Sequence, residues 1–145
     1  MADITQTPAN VDTTGATKFA DGVAGEAIDA GDLLYINSTD GKLYAADHTT
    51  VAKAAHVGMA ANSAAINQPV RYATGPQQIG ESPATERVNP GGTVAVGQVY
   101  VVSANAGKIA LESDLSTGDI VSIFGVGVTT SLIEIQRHNT GTAHA

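Results

Sequence analysis

The 145-residue sequence contains no cysteine, no tryptophan, and only four tyrosines and two phenylalanines. Without cysteine there are no disulfides, thiolate metal sites or thiol nucleophiles. With so few aromatics, platforms for stacking bases, sugars or flavins are scarce. Basic residues are also few: Lys plus Arg number 7 against 14 Asp plus Glu, a net charge of −7. That sign opposes binding to phosphate backbones and excludes nucleic acid as the expected partner. The imbalance is local, because residues 1–47 hold eight acids against Lys18 and Lys42, leaving only −1 for the rest. Long hydrophobic runs are missing too. The longest uncharged stretch, Val88 to Gly107, spans 20 positions but is broken by Pro90, Gly91, Gly92 and Gly97, so no membrane helix and no membrane partner are expected. Met1-Ala2-Asp3-Ile4-Thr5-Gln6 is acidic and polar where a signal peptide would be basic and then apolar, so export by that route is not expected.

What the chain does have is β-branched residues. Val and Ile total 24 against 6 Leu, an excess that suits pleated surfaces. Leu, Ile, Val and Phe together are 32 residues, about 22%, enough for one small core. Residues 1–24 are rich in Thr, Ala, Gly and Asp and show neither period 2 nor period 3.6. They read as an extended arm, dispensable for folding, whose spaced apolar residues Ile4, Val11 and Phe19 are candidate anchors on a neighbouring subunit or partner. Residues 25–145 read as a single β domain. Its stretch 74–90, punctuated by Pro76, Pro83, Pro90, Gly75 and Gly80, reads as a loop. Asp47–Ala55 invites a short helix with Asp47 as N-cap, weakened by Thr49, Thr50 and Val51.

The most informative feature is a gapless internal repeat at an offset of 66. Ile28-Asp-Ala-Gly31-Asp-Leu33-Leu34-Tyr35-Ile36 lies over Val94-Ala-Val-Gly97-Gln-Val99-Tyr100-Val101-Val102, and Gly41-Lys42-Leu43 over Gly107-Lys108-Ile109. Gly31 and Gly97 would permit a tight turn with positive φ, and the apolar residues after them a strand. Gly41 and Gly107 would close the following reversal in a left-handed conformation. Hairpins are therefore expected over 33–45 and 99–111. Beyond them, His56-Val-Gly58-Met-Ala60 precedes Pro69-Val-Arg-Tyr72, and Ile123-Phe-Gly125-Val-Gly127 precedes Leu132-Ile-Glu-Ile135, so Gly-Val followed by a second strand recurs. The units, about 25–73 and 91–137, are each too small to bury much surface alone. The expected fold is all-β, one small sandwich or barrel built from both.

Chemistry is sparse. His48, His56, His138 and His144 fit no metal-ligand spacing, and read respectively as a loop residue, a strand-edge residue and two tail residues. Neither Gly91-Gly92 nor Gly125-Val-Gly127 carries the residues of a phosphate loop or a nucleophile elbow. Asp29, Asp32 and Asp40 could suggest calcium, but the second copy has Ala95, Gln98 and Ala106 there, so turn formation explains them better. The chain is expected to be no enzyme, with no catalytic residues, metal or cofactor, and with no His, Ser or carboxylate set forming a nucleophile–base pair.

The opening Met-Ala-Asp-Ile-Thr-Gln-Thr, the two Gly31 and Gly97 strand units, the Gly-Lys-aliphatic returns and the Gly-Val strands together resemble small tailed-bacteriophage capsid decoration, or cement, proteins. The resemblance covers nearly the whole chain and brings no catalytic residues with it. It implies a β-rich structural virion protein, made in the host cytoplasm, that binds the outer surface of an assembled phage capsid and stabilises it. Its partner would be the major capsid protein, and it would act as a homo-oligomer, a trimer or dimer. Similar glycine-punctuated β-repeats occur in phage head-fibre and tail-associated modules that bind a host receptor or glycan, which is the alternative reading.

Overall fold

Two reversals of the chain set the architecture, and both are closed by glycines in the left-handed region. The computed structural model describes residues 3–76 and 86–145. Among the described residues, in chain order, the strands and the single α-helix are β1 (Val11–Asp12), β2 (Phe19–Val23), β3 (Leu33–Ile36), β4 (Leu43–Ala45), α1 (Val51–Ala54), β5 (Gly58–Ala60) and β6 (Pro69–Ala73). There follow β7 (Arg87–Pro90), β8 (Val99–Val102), β9 (Ile109–Leu111), β10 (Ile120–Gly127) and β11 (Ile133–Ala143). The β3–β4 hairpin pairs Leu34 with Ala45 and Ile36 with Leu43, and the β8–β9 hairpin pairs Tyr100 with Leu111 and Val102 with Ile109. Each pair is its counterpart displaced by 66. Gly41 and Gly107 end the two reversals with φ of 70° and 79°. The side-chain oxygens of Asn37 and Ser103 accept from the backbone N–H two residues on, in Thr39 and Asn105, the local bond that stabilises such turns.

The repeat extends further in space than in sequence. One sheet has the order β2-β6-β5-β3-β4 and the other β1-β7-β11-β10-β8-β9. Without β1, the second order is the first with each strand replaced by its counterpart, so one five-stranded unit occurs twice. The first unit therefore starts at Phe19 rather than Gly25, and the second at Arg87 and runs to Ala143. The bonds between strands recur as well. Gly31 N–H donates to Ala60 O at 2.9 Å and Ala60 N–H to Asp32 O at 2.8 Å; Gly97 N–H donates to Gly127 O at 2.8 Å and Gly127 N–H to Gln98 O at 2.9 Å.

The two antiparallel sheets form a small open sandwich, not a closed barrel. The larger core draws Leu33, Tyr35 and Met59 from the first sheet and Val88, Tyr100, Phe124 and Ile133 from the second. Leu34, Leu43, Ala60, Val70 and Tyr72 pack with Ile28 on the opposite face of the first sheet. Adjacent Leu33 and Leu34 thus point into different cores, as the period of 2 requires.

Three expectations need correction. Of the expected extended arm 1–24, residues 3–24 are no free arm and carry a 3-10 turn at Pro8–Asn10, because β2 lies at the edge of the first sheet and β1 at the edge of the second. Part of the 74–90 loop is strand: β7 pairs with both β11 and β1, its Pro90 tolerated at the end of a strand where a missing N–H breaks no ladder. Positions 77–85 of that loop, including Gly80 and Pro83, lie outside the described residues. Finally, α1 is capped by Thr50, which accepts from Lys53 N–H at 3.3 Å, while Asp47 accepts from Thr49 N–H at 2.9 Å in the turn before it.

The glycines differ in what else they must satisfy. Gly97 has φ 78° and open space where a Cβ would sit, whereas Gly31 has φ 95° and a Cβ there would lie 3.0 Å from Val11 and 3.1 Å from the Pro90 carbonyl. Gly97→Ala is expected to cost about 1 kcal/mol, the left-handed penalty alone, and Gly31→Ala distinctly more. Urea unfolding of both variants checks this; equal losses would remove the close-approach argument for Gly31.

Candidate functional site

The N-terminal anchors singled out from sequence are used by the chain itself. Ile4 is 7% exposed, belongs to the larger core, and its N–H donates to Ile109 O at 2.8 Å. Val11 pairs with Pro90 and packs against the same core. Phe19 pairs with Ala73 in the first sheet, with the Arg71 guanidinium 4.5 Å above its ring. Polar contacts hold the segment between them: Asp3 accepts from Asn105 Nδ2 at 2.7 Å and from Ser103 Oγ, and the Thr17 N–H donates to buried Glu86 at 2.6 Å. The residues expected to reach a neighbour are core and edge residues of this domain. Ile4→Ala is accordingly expected to cost about 2–4 kcal/mol, the range for truncating a buried Ile, and deleting residues 1–20 to cost more. Retention of the wild-type thermal midpoint by the deletion variant would show the segment to be unattached.

The turn glycines Gly31, Gly41, Gly97 and Gly107 all have positive φ, and Gly107 also lies against the other unit, since a Cβ there would fall 2.7 Å from the Asp32 side chain. Asp32 accepts from Asp29 N–H at 3.0 Å and lies 3.5 Å from Lys108 Nζ; its pKa is raised, chiefly by burial. Asp40 accepts from Lys42 N–H and Tyr44 Oη and is held below the usual carboxylate range by them. These carboxylates serve turns and the contact between units. Among the described residues no three His, Asp or Glu side chains converge in a way that could hold a metal.

The arrangement that sequence reasoning missed is a buried polar seam joining the sheets. His56, just ahead of β5, is fully buried rather than at a strand edge. Its Nδ1 lies 2.7 Å from Ser122 Oγ of β10, and its ring meets Phe124 edge-on with centroids 5.9 Å apart. Ser122 Oγ donates to Asn139 Oδ1 at 2.6 Å. The carbonyl of His56 accepts from Asn139 Nδ2 at 3.1 Å and from Arg137 Nη1 at 3.2 Å, and Arg137 Nε donates to Thr74 O at 2.6 Å. A histidine and a serine are therefore in contact. The direction of the bonds decides what the pair can do. Ser122 has one proton and gives it to Asn139, so His56 Nδ1–H is the donor to Ser122, which is the reverse of nucleophile activation. Burial, with the Arg137 charge adding to it, pushes the imidazole down to about 3, far below the range of a general base working near neutrality. The sequence signal was slight: His56 interrupts the apolar run Ala54-Ala55-His56-Val57. His48 is buried as well, 3.6 Å from Asp119, and His138 lies within β11 rather than in a tail.

Above this seam, α1 separates two recesses. One, of about 210 Å³, lies between α1 and the ends of β10 and β11, with Ser122 and Asn139 among its lining. The other, of about 420 Å³, lies between α1 and the end of β3. Comparison with family models, with curated proteins and with solved structures finds no match to the chain.

A histidine buried neutral makes stability depend on pH with a definite sign. His56 has the ordinary pKa of 6.5 when unfolded and about 3 when folded, so between those values the unfolded chain binds the extra proton. Stability is full above about pH 6.5 and falls by up to about 1.4 kcal/mol per pH unit on the way to pH 3. In urea titrations at pH 7, 5.5 and 4.5, His56→Phe is expected to flatten this slope. An unchanged slope in that variant would assign the acid sensitivity to other groups.

Proposed function

We propose that this chain is a structural virion protein that binds the outer surface of an assembled tailed-phage capsid, through the major capsid protein, and stabilises the shell as a homo-oligomer. The observation that carries the reading is where the chemistry-bearing residues are spent. His56, Ser122, Asp32, Glu86 and Asp3 hold the two units and the N-terminal segment together, which leaves outer surface as the working part. A duplicated β body suits such a task because it offers a broad, stiff face. The edge strands of its second sheet are short, two residues in β1 and three in β9, and the Asp3–Ala110 bridge lies beside β9, which limits unwanted strand pairing between crowded neighbours. Function would then be area, and many copies on a lattice convert modest single-site affinity into stable coverage.

The aromatic residues favour this reading over a glycan-binding fibre module. Tyr35, Tyr72, Tyr100 and Phe124 are buried, and Phe19 and Tyr44 are half-buried, so stacking platforms for sugar rings are not presented.

Capsids assembled without the protein provide the test. Purified full-length chain is expected to co-sediment with them to a saturating stoichiometry and to raise the temperature at which they open. Absence of co-sedimentation with capsids of the phage that encodes it would end the proposal.

A further inference from the structure

The connection between the fifth and third strands of each unit's sheet order, β4 to β5 and β9 to β10, differs between the two units in a way the fold does not require. In the second unit it is an acidic 3-10 turn, Glu112–Asp114, followed by buried Leu115. In the first it is α1, whose Val51 is 51% exposed, and beside it Ile36, at the end of β3, is 48% exposed. Both connections join equivalent strands, so an acidic, water-facing turn is sufficient for the architecture. The apolar ridge is an addition.

The ridge has the shape of a self-complementary surface. Val51 lines the recess of about 210 Å³ on one side of α1, and Ile36 lines the recess of about 420 Å³ on the other, with Ala55 lining both. Knobs and hollows of matching character therefore sit in one patch, which is what an isologous contact needs, since each copy must present both halves of it. The smaller recess has room for one or two side chains and lies below the usual range of small-molecule sites, and the larger lies at the low end of that range. The charge pattern points the same way. On a chain of net charge −7, two copies repel unless carboxylates are kept out of the contact. Neither recess is lined by an Asp or Glu, and their one charged residue, Lys53, is 3.7 Å from Asp47.

We infer that the α1 face is a two-fold contact between two copies of this chain, with Val51 and Ile36 of each copy entering the recesses of the other. The inference rests on the homo-oligomer part of the proposed function and names its surface. A partner of another kind on this face would leave the purified chain monomeric.

Sedimentation of the full chain over a concentration series tests it. The wild type is expected to form an even-numbered oligomer, and Val51→Glu and Ile36→Glu to raise its dissociation constant at least tenfold. Glu at position 51 opens α1 at its N-terminal end, where an acid suits the helix dipole, so circular dichroism and the thermal midpoint are expected to stay near wild type. Val96→Glu, at a site 58% exposed on the second unit, is expected to leave assembly unchanged. A wild type that is monomeric at its highest soluble concentration overturns the inference, as does wild-type assembly by both α1-face variants while folded. Capsid co-sedimentation of the wild type is read separately: a chain that assembles through α1 yet ignores capsids keeps this inference and loses the proposed function.

Discussion

The register of both sheets depends on a glycine held at positive φ shortly before each hairpin. At Gly31 and Gly97 the backbone turns so that the glycine N–H reaches the carbonyl of the fourth strand of its unit, while the carbonyl of the next residue accepts a bond from that same strand. This fixes the hairpin against its neighbour before any side chain is considered. In a sheet a slip of one residue would exchange every inward side chain for an outward one. The cost here would be unusual, because both faces of the first sheet are buried and Leu33 and Leu34 would each enter the wrong core.

Identical register does not mean identical packing. Leu34 and Tyr100 occupy matching places in the two hairpins, yet Leu34 faces the smaller core and Tyr100 the larger. The two units are copies in topology but not in surroundings. The second unit's inner face serves as the main core of the whole molecule, and the first unit contributes its other face to it. That asymmetric stacking explains why the link between Asp32 and Lys108 has no mirrored counterpart at the 66-residue offset, where Gln98 stands in the place of Asp32.

Legibility in the sequence followed the range of the interaction. The hairpins were readable because a reversal is fixed by local chemistry: glycine where φ must be positive, a side-chain acceptor at Asn37 or Ser103, and β-branched residues on either side. The outer strands β1, β2 and β7 were not, because short edge strands carry little pattern and take their place from the strand they join. Val11 pairs with Pro90, 79 positions away, and nothing near either residue announces the other. Ile4, Val11 and Phe19 stand out as spaced apolar residues, but sequence alone does not say whether such residues dock at home or on a neighbour. His56 and Ser122, 66 apart in sequence, meet only once the units have stacked.

Duplication also separates what the fold needs from what it merely permits. Any feature required by the five-stranded unit should occur in both copies, as the turn glycines and their bonds do. A feature present in one copy only has been tolerated by the architecture and must be explained by something else, packing between units or contact with another molecule. The His56 seam has the first explanation, since the His56–Ser122, Asn139–His56, Arg137–His56 and Arg137–Thr74 bonds cross from one unit to the other. The α1 ridge has no such use for Val51 and Ile36, whose side chains face water, and exposing two aliphatic residues beside hollows that could hold them works against solubility unless the face is covered. The acidic turn at the same place in the second unit shows the fold standing without that liability, so the burden of explanation shifts from folding to association.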